Sequence, residues 1–264
     1  MSTRILARGA ALAGCLAAAA GAVHAQVEPT LKQNVTVQRF YGYAYGRDSH
    51  KYLYTEVYAM RFDAKGHWLG GTIRYFWADG RPIGHKVIEF TEDPFVPVYS
   101  LDLTGENYRE GITKVAPDGV RVFKKSHLNN IVRDKTIGRE PLQAADSGFD
   151  ALITAHLDAL MAGQAVYFDL VVPGQLDDYH LTVKKFADTT FEGQGAVIVK
   201  VKPNSLLSLL ADPLFLTYSP SGKLLEYKGI SNILDPETGK VYSVDVVFPS
   251  TAPKDVPPNL PPLE

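Results

Sequence analysis

The chain has 264 residues, with 27 Lys and Arg against 29 Asp and Glu, a formal net charge of −2, one cysteine, and 45% hydrophobic and 11% aromatic residues. That length suffices for one large core or two small ones. No basic tract is present to neutralise phosphates, so nucleic acid is not an expected partner, and a lone cysteine gives no internal disulfide.

The first eight residues carry Arg4 and Arg8 and no acid, and an Ala/Leu/Gly run leads from Gly9 to Val23-His24-Ala25. This reads as a secretory signal peptide cleaved after Ala25, with an apolar run too short to span a bilayer. The run contains Leu12-Ala13-Gly14-Cys15, a lipoprotein-processing pattern that would anchor the chain through Cys15. A lipid-anchored protein leaves its cysteine through a polar tether, whereas residues 16–23 continue the apolar core. Ordinary cleavage and a periplasmic or secreted location are therefore expected, with anchoring at Cys15 as the alternative. Cleavage after Ala25 also discards the cysteine.

Residues 26–248 read as one β-rich domain. Tyr41, Tyr43 and Tyr45 alternate, and in residues 51–63 Tyr52, Tyr54, Glu56, Tyr58, Met60 and Phe62 share one strand face while Leu53, Thr55, Val57, Ala59 and Arg61 share the other. The turn Asp63-Ala64-Lys65-Gly66 leads into a strand over 68–77. Further strands are expected at 83–90, 108–116, 120–126, 166–172, 180–186, 197–201, 215–218, 224–230 and 241–248, joined by short Gly- and Pro-containing turns that imply antiparallel pairing. Residues 62–69 and 218–225 share an aromatic, a turn glycine at one offset and a hydrophobic pair, as two copies of one hairpin would, or any two hairpins with one turn type.

One amphipathic helix is expected over 147–161. Ser147 and Asp150 have capping-box spacing, Phe149, Leu152, Ile153, His156, Leu157 and Leu160 form its apolar stripe, and Gly163 stops it. A shorter helical turn is expected over 204–212, capped by Asn204 and closed by Pro213. Residues 249–264 carry six prolines and read as a flexible, extended tail serving as a tether or a docking strip. The fold class expected is α+β: a strongly curved, mainly antiparallel sheet, as a half-barrel or β-roll, with one amphipathic helix packed on it.

Over about residues 140–248 the chain resembles a family of secreted, functionally uncharacterised β-rich proteins of Gram-negative bacteria, a domain of unknown function. Its F-x-x-x-V-P-x-x-L-D strand is matched by Phe168, Val172, Pro173, Leu176 and Asp177, and its D-P-L-x-L-x-Y … Y-x-G-[IL]-S-N-I hairpin by residues 212–218 and 227–233. The resemblance carries no catalytic or binding residues with it. At fold level the pattern also looks like that of periplasmic carriers that hold lipid between a curved antiparallel sheet and a helix.

No phosphate-binding loop, dinucleotide fingerprint or Gly-x-Ser-x-Gly elbow occurs, and no cofactor is implied. His50, His67, His85, His127, His156 and His180 lack metal-ligand spacing, so no metal is expected. His156 is a candidate base on the helix stripe, or a packed core histidine. Asp177, Asp178, Tyr179 and His180 offer carboxylates and an imidazole within four residues, or an ordinary acidic strand entry. Glu56, among Tyr52, Tyr54 and Tyr58, either faces water or lines a cavity where its carboxylate must be hydrogen-bonded or protonated. The function expected is non-enzymatic binding of an apolar or amphipathic cell-envelope ligand, a lipid for instance, through Tyr52, Tyr54, Glu56, Tyr58 and His156. The alternatives are a protein–protein interaction module of an envelope assembly and a hydrolase or lyase acting on envelope material.

Overall fold

The computed structural model describes residues 35–126, 128–204, 212–257 and 260–263. The leader expected over 1–25, with Cys15, and all but the ends of the helical turn expected over 204–212 fall outside the described residues. The strands are β1 (Thr36–Gly46), β2 (Tyr52–Phe62), β3 (Trp68–Trp77), β4 (Pro82–Glu89), β5 (Val98–Leu103), β6 (Tyr108–Ala116), β7 (Gly119–Lys125) and β8 (Val132–Ile137). Then come β9 (Gln143–Ala145), α1 (Ser147–Ala155), α2 (Leu157–Met161), β10 (Val166–Val172), β11 (Asp177–Phe191), β12 (Gln194–Pro203), β13 (Leu214–Tyr218), β14 (Leu224–Leu234) and β15 (Val241–Val247).

All fifteen strands belong to one sheet, running from β8 through β1 to β15 and on to β9. Among the described residues only the β9–β10 pair is parallel. The two edge strands, β8 and β9, are consecutive in the chain, and the six steps from Ile137 to Gln143 span at most about 20 Å. Fifteen strands laid flat would be about 65 Å wide at the normal spacing. The sheet is therefore strongly curved, with its edges drawn together.

It is not closed into a barrel, because β8 and β9 do not pair. Side chains bridge the seam instead: Lys135 Nζ lies 2.8 Å from Asp177 Oδ1, and Lys124 Nζ donates to Gly174 O at 2.5 Å. Edge strand β8 exposes Arg133, Asp134 and Lys135, charges that discourage pairing with another chain.

The helix departs from expectation in two ways. Asp146, not Ser147, caps it, accepting from Ser147 N at 2.7 Å, while Asp150 accepts from the Tyr218 hydroxyl at 2.8 Å. The stretch is also two helices, interrupted at His156, whose Nδ1 lies 2.9 Å from Leu152 O. Its backbone N–H is shared between Leu152 O and Ile153 O, so ring and backbone compete for one carbonyl. The stripe of Phe149, Leu152, Ile153, Leu157 and Leu160 is buried against β10–β13, with Phe149 stacked on Phe168 at 5.5 Å. The helices fill that part of the inner face, and a second core lies on β1–β7, β14 and β15.

The tail packs back onto its own sheet. Asp255 Oδ1 accepts from Tyr45 Oη at 2.9 Å, Pro261 O from Tyr41 Oη at 2.8 Å, and Pro262 O from Arg74 at 2.7 Å. Tyr43, Thr55 and Val57, on the outer face of β1 and β2, are correspondingly buried, so β2 has four consecutive buried residues, Tyr54 to Val57. The turns after β2 and β13 are alike: Gly66 N bonds Asp63 O and Gly222 N bonds Ser219 O, each at 3.0 Å, with φ of +83° and +84°. One turn geometry thus accounts for the likeness of the two segments.

Candidate functional site

Strand register assembles the site. Across the inner face one row runs Tyr58 (β2), Ile73 (β3), Lys86 (β4), Leu101 (β5), Glu110 (β6), Lys124 (β7), each paired with the next. The neighbouring row carries Gly42, Glu56, Tyr75 and Gly84. Because side chains alternate, Tyr54, Glu56, Tyr58, Ile73, Tyr75 and Lys86 all face inward, and the sheet's curvature makes them converge. With Tyr99, Glu110, Asp146, Asp150 and Tyr227 they line a cavity of about 1540 Å³ between the sheet and α1.

Four carboxylates, Glu56, Glu110, Asp146 and Asp150, and the Lys86 ammonium are gathered there. Lys86 Nζ pairs with Asp146 Oδ2 at 2.5 Å, with both side chains about 95% buried, and lies 5.6 Å from the Tyr99 ring centroid. Asp146 also accepts from Ser147 and, at 3.2 Å, from Asn232 Nδ2, so it ties β4, α1 and β14 together. It does so with φ +47°, a left-handed backbone angle uncommon outside glycine.

Glu110 accepts from Tyr108 Oη at 2.6 Å and lies at the limit of hydrogen bonding, 3.5 Å, from Tyr99 Oη. Gly174 packs onto it: a Cβ there would stand 2.3 Å from Glu110 Oε2. The turn that begins at Pro173 and ends at Leu176, with φ +54°, delivers that glycine. Glu56 accepts from the Tyr58 hydroxyl through Oε2. Gly42 opposite leaves room for the Glu56 carboxylate and the Phe248 ring, which a Cβ would meet at 3.1 and 2.7 Å.

Burial is the main influence on these acids. It pushes Glu56 and Glu110 above the ordinary carboxylate range against the opposing pull of their tyrosine hydroxyls and Lys86, with Asp146 adding to the rise. Asp150 is raised to about 6 by burial, with Tyr218 pulling the other way.

The candidates from the sequence are partly brought together. Tyr54, Glu56 and Tyr58 line the cavity; Tyr52 does not. A β-bulge at Leu53 pairs Ala44 with Tyr54 but Tyr45 with Tyr52, so the alternation slips by one and Tyr52 bonds Thr55 on the other face. His156 also stands outside the lining, against Phe95 and Leu152 O, with no carboxylate partner among the described residues. Asp177 pairs with Lys135 and His180 with Asp169 near the surface, so these residues do not join Glu56 in one acid–base arrangement.

Lys86, Glu110, Asp146, Tyr75 and Tyr99 were not singled out from the sequence. A signal existed: Lys86 is in phase with Gly84 and Ile88, and Glu110 with Tyr108 and Ile112, as Glu56 is with Tyr54 and Tyr58. Among the described residues no group of three or more His, Cys, Asp or Glu is placed to hold a metal ion, and no helix is long and apolar enough to cross a membrane.

No protein-family model matches the chain, and no curated protein matches it. Among solved structures it is similar to a beta-barrel-like protein of a domain of unknown function, DUF1849, from Brucella abortus, at 7% identity and a TM-score of 0.38, over 81% of this chain and 98% of that one.

Proposed function

We propose that this protein is an exported, non-enzymatic binder of an amphipathic cell-envelope molecule, which it holds in the cavity between the curved sheet and α1. The cavity carries the reading. At about 1540 Å³ it exceeds the size usual for small-molecule sites, as a chain-bearing ligand requires. Its wall suits the two ends of such a molecule. Met60, Phe62, Trp68, Leu216 and Phe248 offer apolar surface, whereas Glu56, Lys86 and Glu110 offer charge. The leader at residues 1–25, the resemblance to secreted Gram-negative proteins and the looser likeness to periplasmic carriers support export and an envelope ligand. The dispersal of His156, Asp177 and His180 weakens the hydrolase alternative, since acid–base catalysis needs its groups within reach of one bond.

The test is native mass spectrometry and lipid extraction of protein purified from the periplasm, repeated with Ile73→Trp, which fills the cavity from its wall. A bound amphiphile in the wild type that the variant loses supports the reading. No bound molecule and no uptake of a fluorescent fatty amphiphile would sink it.

A further inference from the structure

Resting on that reading, we infer that the ligand's polar end is cationic: the cavity takes a primary ammonium on an alkyl chain, with the ammonium against Glu56. The hydrogen bonds leave this group open. Glu56 is 92% buried and lines the cavity, yet among the described residues only Oε2 has a donor, the Tyr58 hydroxyl, and Oε1 has none.

The surrounding rings do not supply a second donor. The Tyr54 hydroxyl is engaged with Ser231 Oγ at 2.6 Å, and that of Tyr227 donates to Ile230 O at 2.8 Å. Tyr75, paired directly across from Glu56, has no partner for its hydroxyl among the described residues, although its side chain is buried at the cavity wall. A carboxylate oxygen and a phenol oxygen, both able to accept and both on residues that are buried overall and line the cavity, stand among aromatic rings. A primary ammonium meets that set: its N–H groups donate to the two oxygens, and its charge is drawn to the faces of the rings.

Charge balance argues the same way. Lys86 is already paired with Asp146, which leaves Glu56, Glu110 and Asp150 without an ion-pair partner among the described residues, and Lys124 is turned to Gly174 O. An anionic head group would enter beside these carboxylates, whereas a cation offsets them. Burial holds the Glu56 carboxyl above its ordinary range, and an ammonium at Oε1 would favour its ionised form.

The experiment is calorimetry below the micellar range with dodecylammonium, dodecanol and dodecanoate on the full mature chain, on Glu56→Gln and on Tyr75→Phe. The expected result is at least about tenfold tighter binding of dodecylammonium than of dodecanoate, one charge-assisted contact in a buried site being worth that factor. Glu56→Gln should bring dodecylammonium to within about threefold of dodecanol, and Tyr75→Phe, a milder change to the fold, should weaken the ammonium selectively. Equal or tighter binding of dodecanoate, or an unaltered preference in both variants, overturns the cationic head group while leaving the cavity reading standing. Binding of none of the three overturns both.

Discussion

Lys86 and Asp146 form a buried ion pair, 2.5 Å from Nζ to Oδ2, between strand β4 and the residue that caps α1. Asp146 also holds Ser147 and Asn232, so one carboxylate fixes the helix to both flanks of the cavity. Removing one partner of such a pair leaves an uncompensated charge in the interior, which is costlier than removing both. Lys86→Met is expected to lower unfolding free energy by about 3–5 kcal/mol in urea titration. The double variant Lys86→Met/Asp146→Asn, in which the Asn oxygen still caps Ser147 N, should recover more than half of that. A double variant no more stable than the single one would refute the anchoring role.

Burial shifts Asp150 upward, whereas Asp63 and the exposed Asp79 and Asp177 are held below the ordinary carboxylate range by their hydrogen bonds. The Asp150 pKa is raised to about 6 in the fold, against about 4 in the unfolded chain. Between these values the folded state holds the extra proton, so its contribution to stability is full below about pH 4 and declines as pH rises through 6. Asp150→Asn resembles the protonated form and keeps an acceptor for Tyr218. It is expected to unfold at higher temperature than the wild type at pH 8 and at a similar temperature at pH 4.5, with about 1–3 kcal/mol gained at the higher pH. An identical difference at both values would count against the assignment.

Gly148 lets α1 approach the loop before β5. An added Cβ would stand 1.9 Å from Phe95 O, a backbone atom with little freedom to yield. Gly148→Ala is expected to cost about 1–3 kcal/mol in chemical unfolding, the usual range for overpacking. Gly105→Ala, where nothing lies within 4 Å, should stay within about 0.5 kcal/mol of the wild type. If the two variants behave alike, the close approach does not set the position of α1.

Deletion of residues 251–264 removes the three hydrogen bonds from Tyr41, Tyr45 and Arg74 to the tail. At about 1 kcal/mol each, the loss should be about 2–3 kcal/mol in unfolding free energy. Tyr41→Phe in the full chain should cost about 0.5–1.5 kcal/mol, and nothing further in the truncated chain. Additive effects of the deletion and Tyr41→Phe would show that the tail does not act through that hydroxyl.

Local pattern reached far along this chain. The turn residues that bound 68–77, 108–116 and 166–172 place β3, β6 and β10 at those limits, because Gly, Pro, Asn and Asp punctuate strands. Strand β8 has no signal in the sequence, since its Val-Arg-Asp-Lys-Thr-Ile carries no apolar alternation: it is an edge strand with five exposed residues. The break in the helix was hidden because His156 fits the apolar spacing, and only its ring bond to Leu152 O shows that it competes with the helix. The inward direction of Glu56 was open to two readings, and the bulge that turns Tyr52 away from it is a matter of pairing between β1 and β2.

The sequence by itself determined the β-rich class, the antiparallel meander, the amphipathic stripe that seats the helices, and the presence of Tyr54, Glu56 and Tyr58 on one strand face. These follow from near-neighbour periodicity and turn chemistry. Tertiary structure alone decided that side chains, not a β8–β9 pairing, bridge the seam of the curved sheet, that Lys86, Glu110 and Asp146 converge with Glu56, and that the proline tail covers the outer face of β1 and β2. Each of those depends on residues tens to hundreds of positions apart, brought together by strand register and curvature, about which the spacing of residues within one segment carries no information.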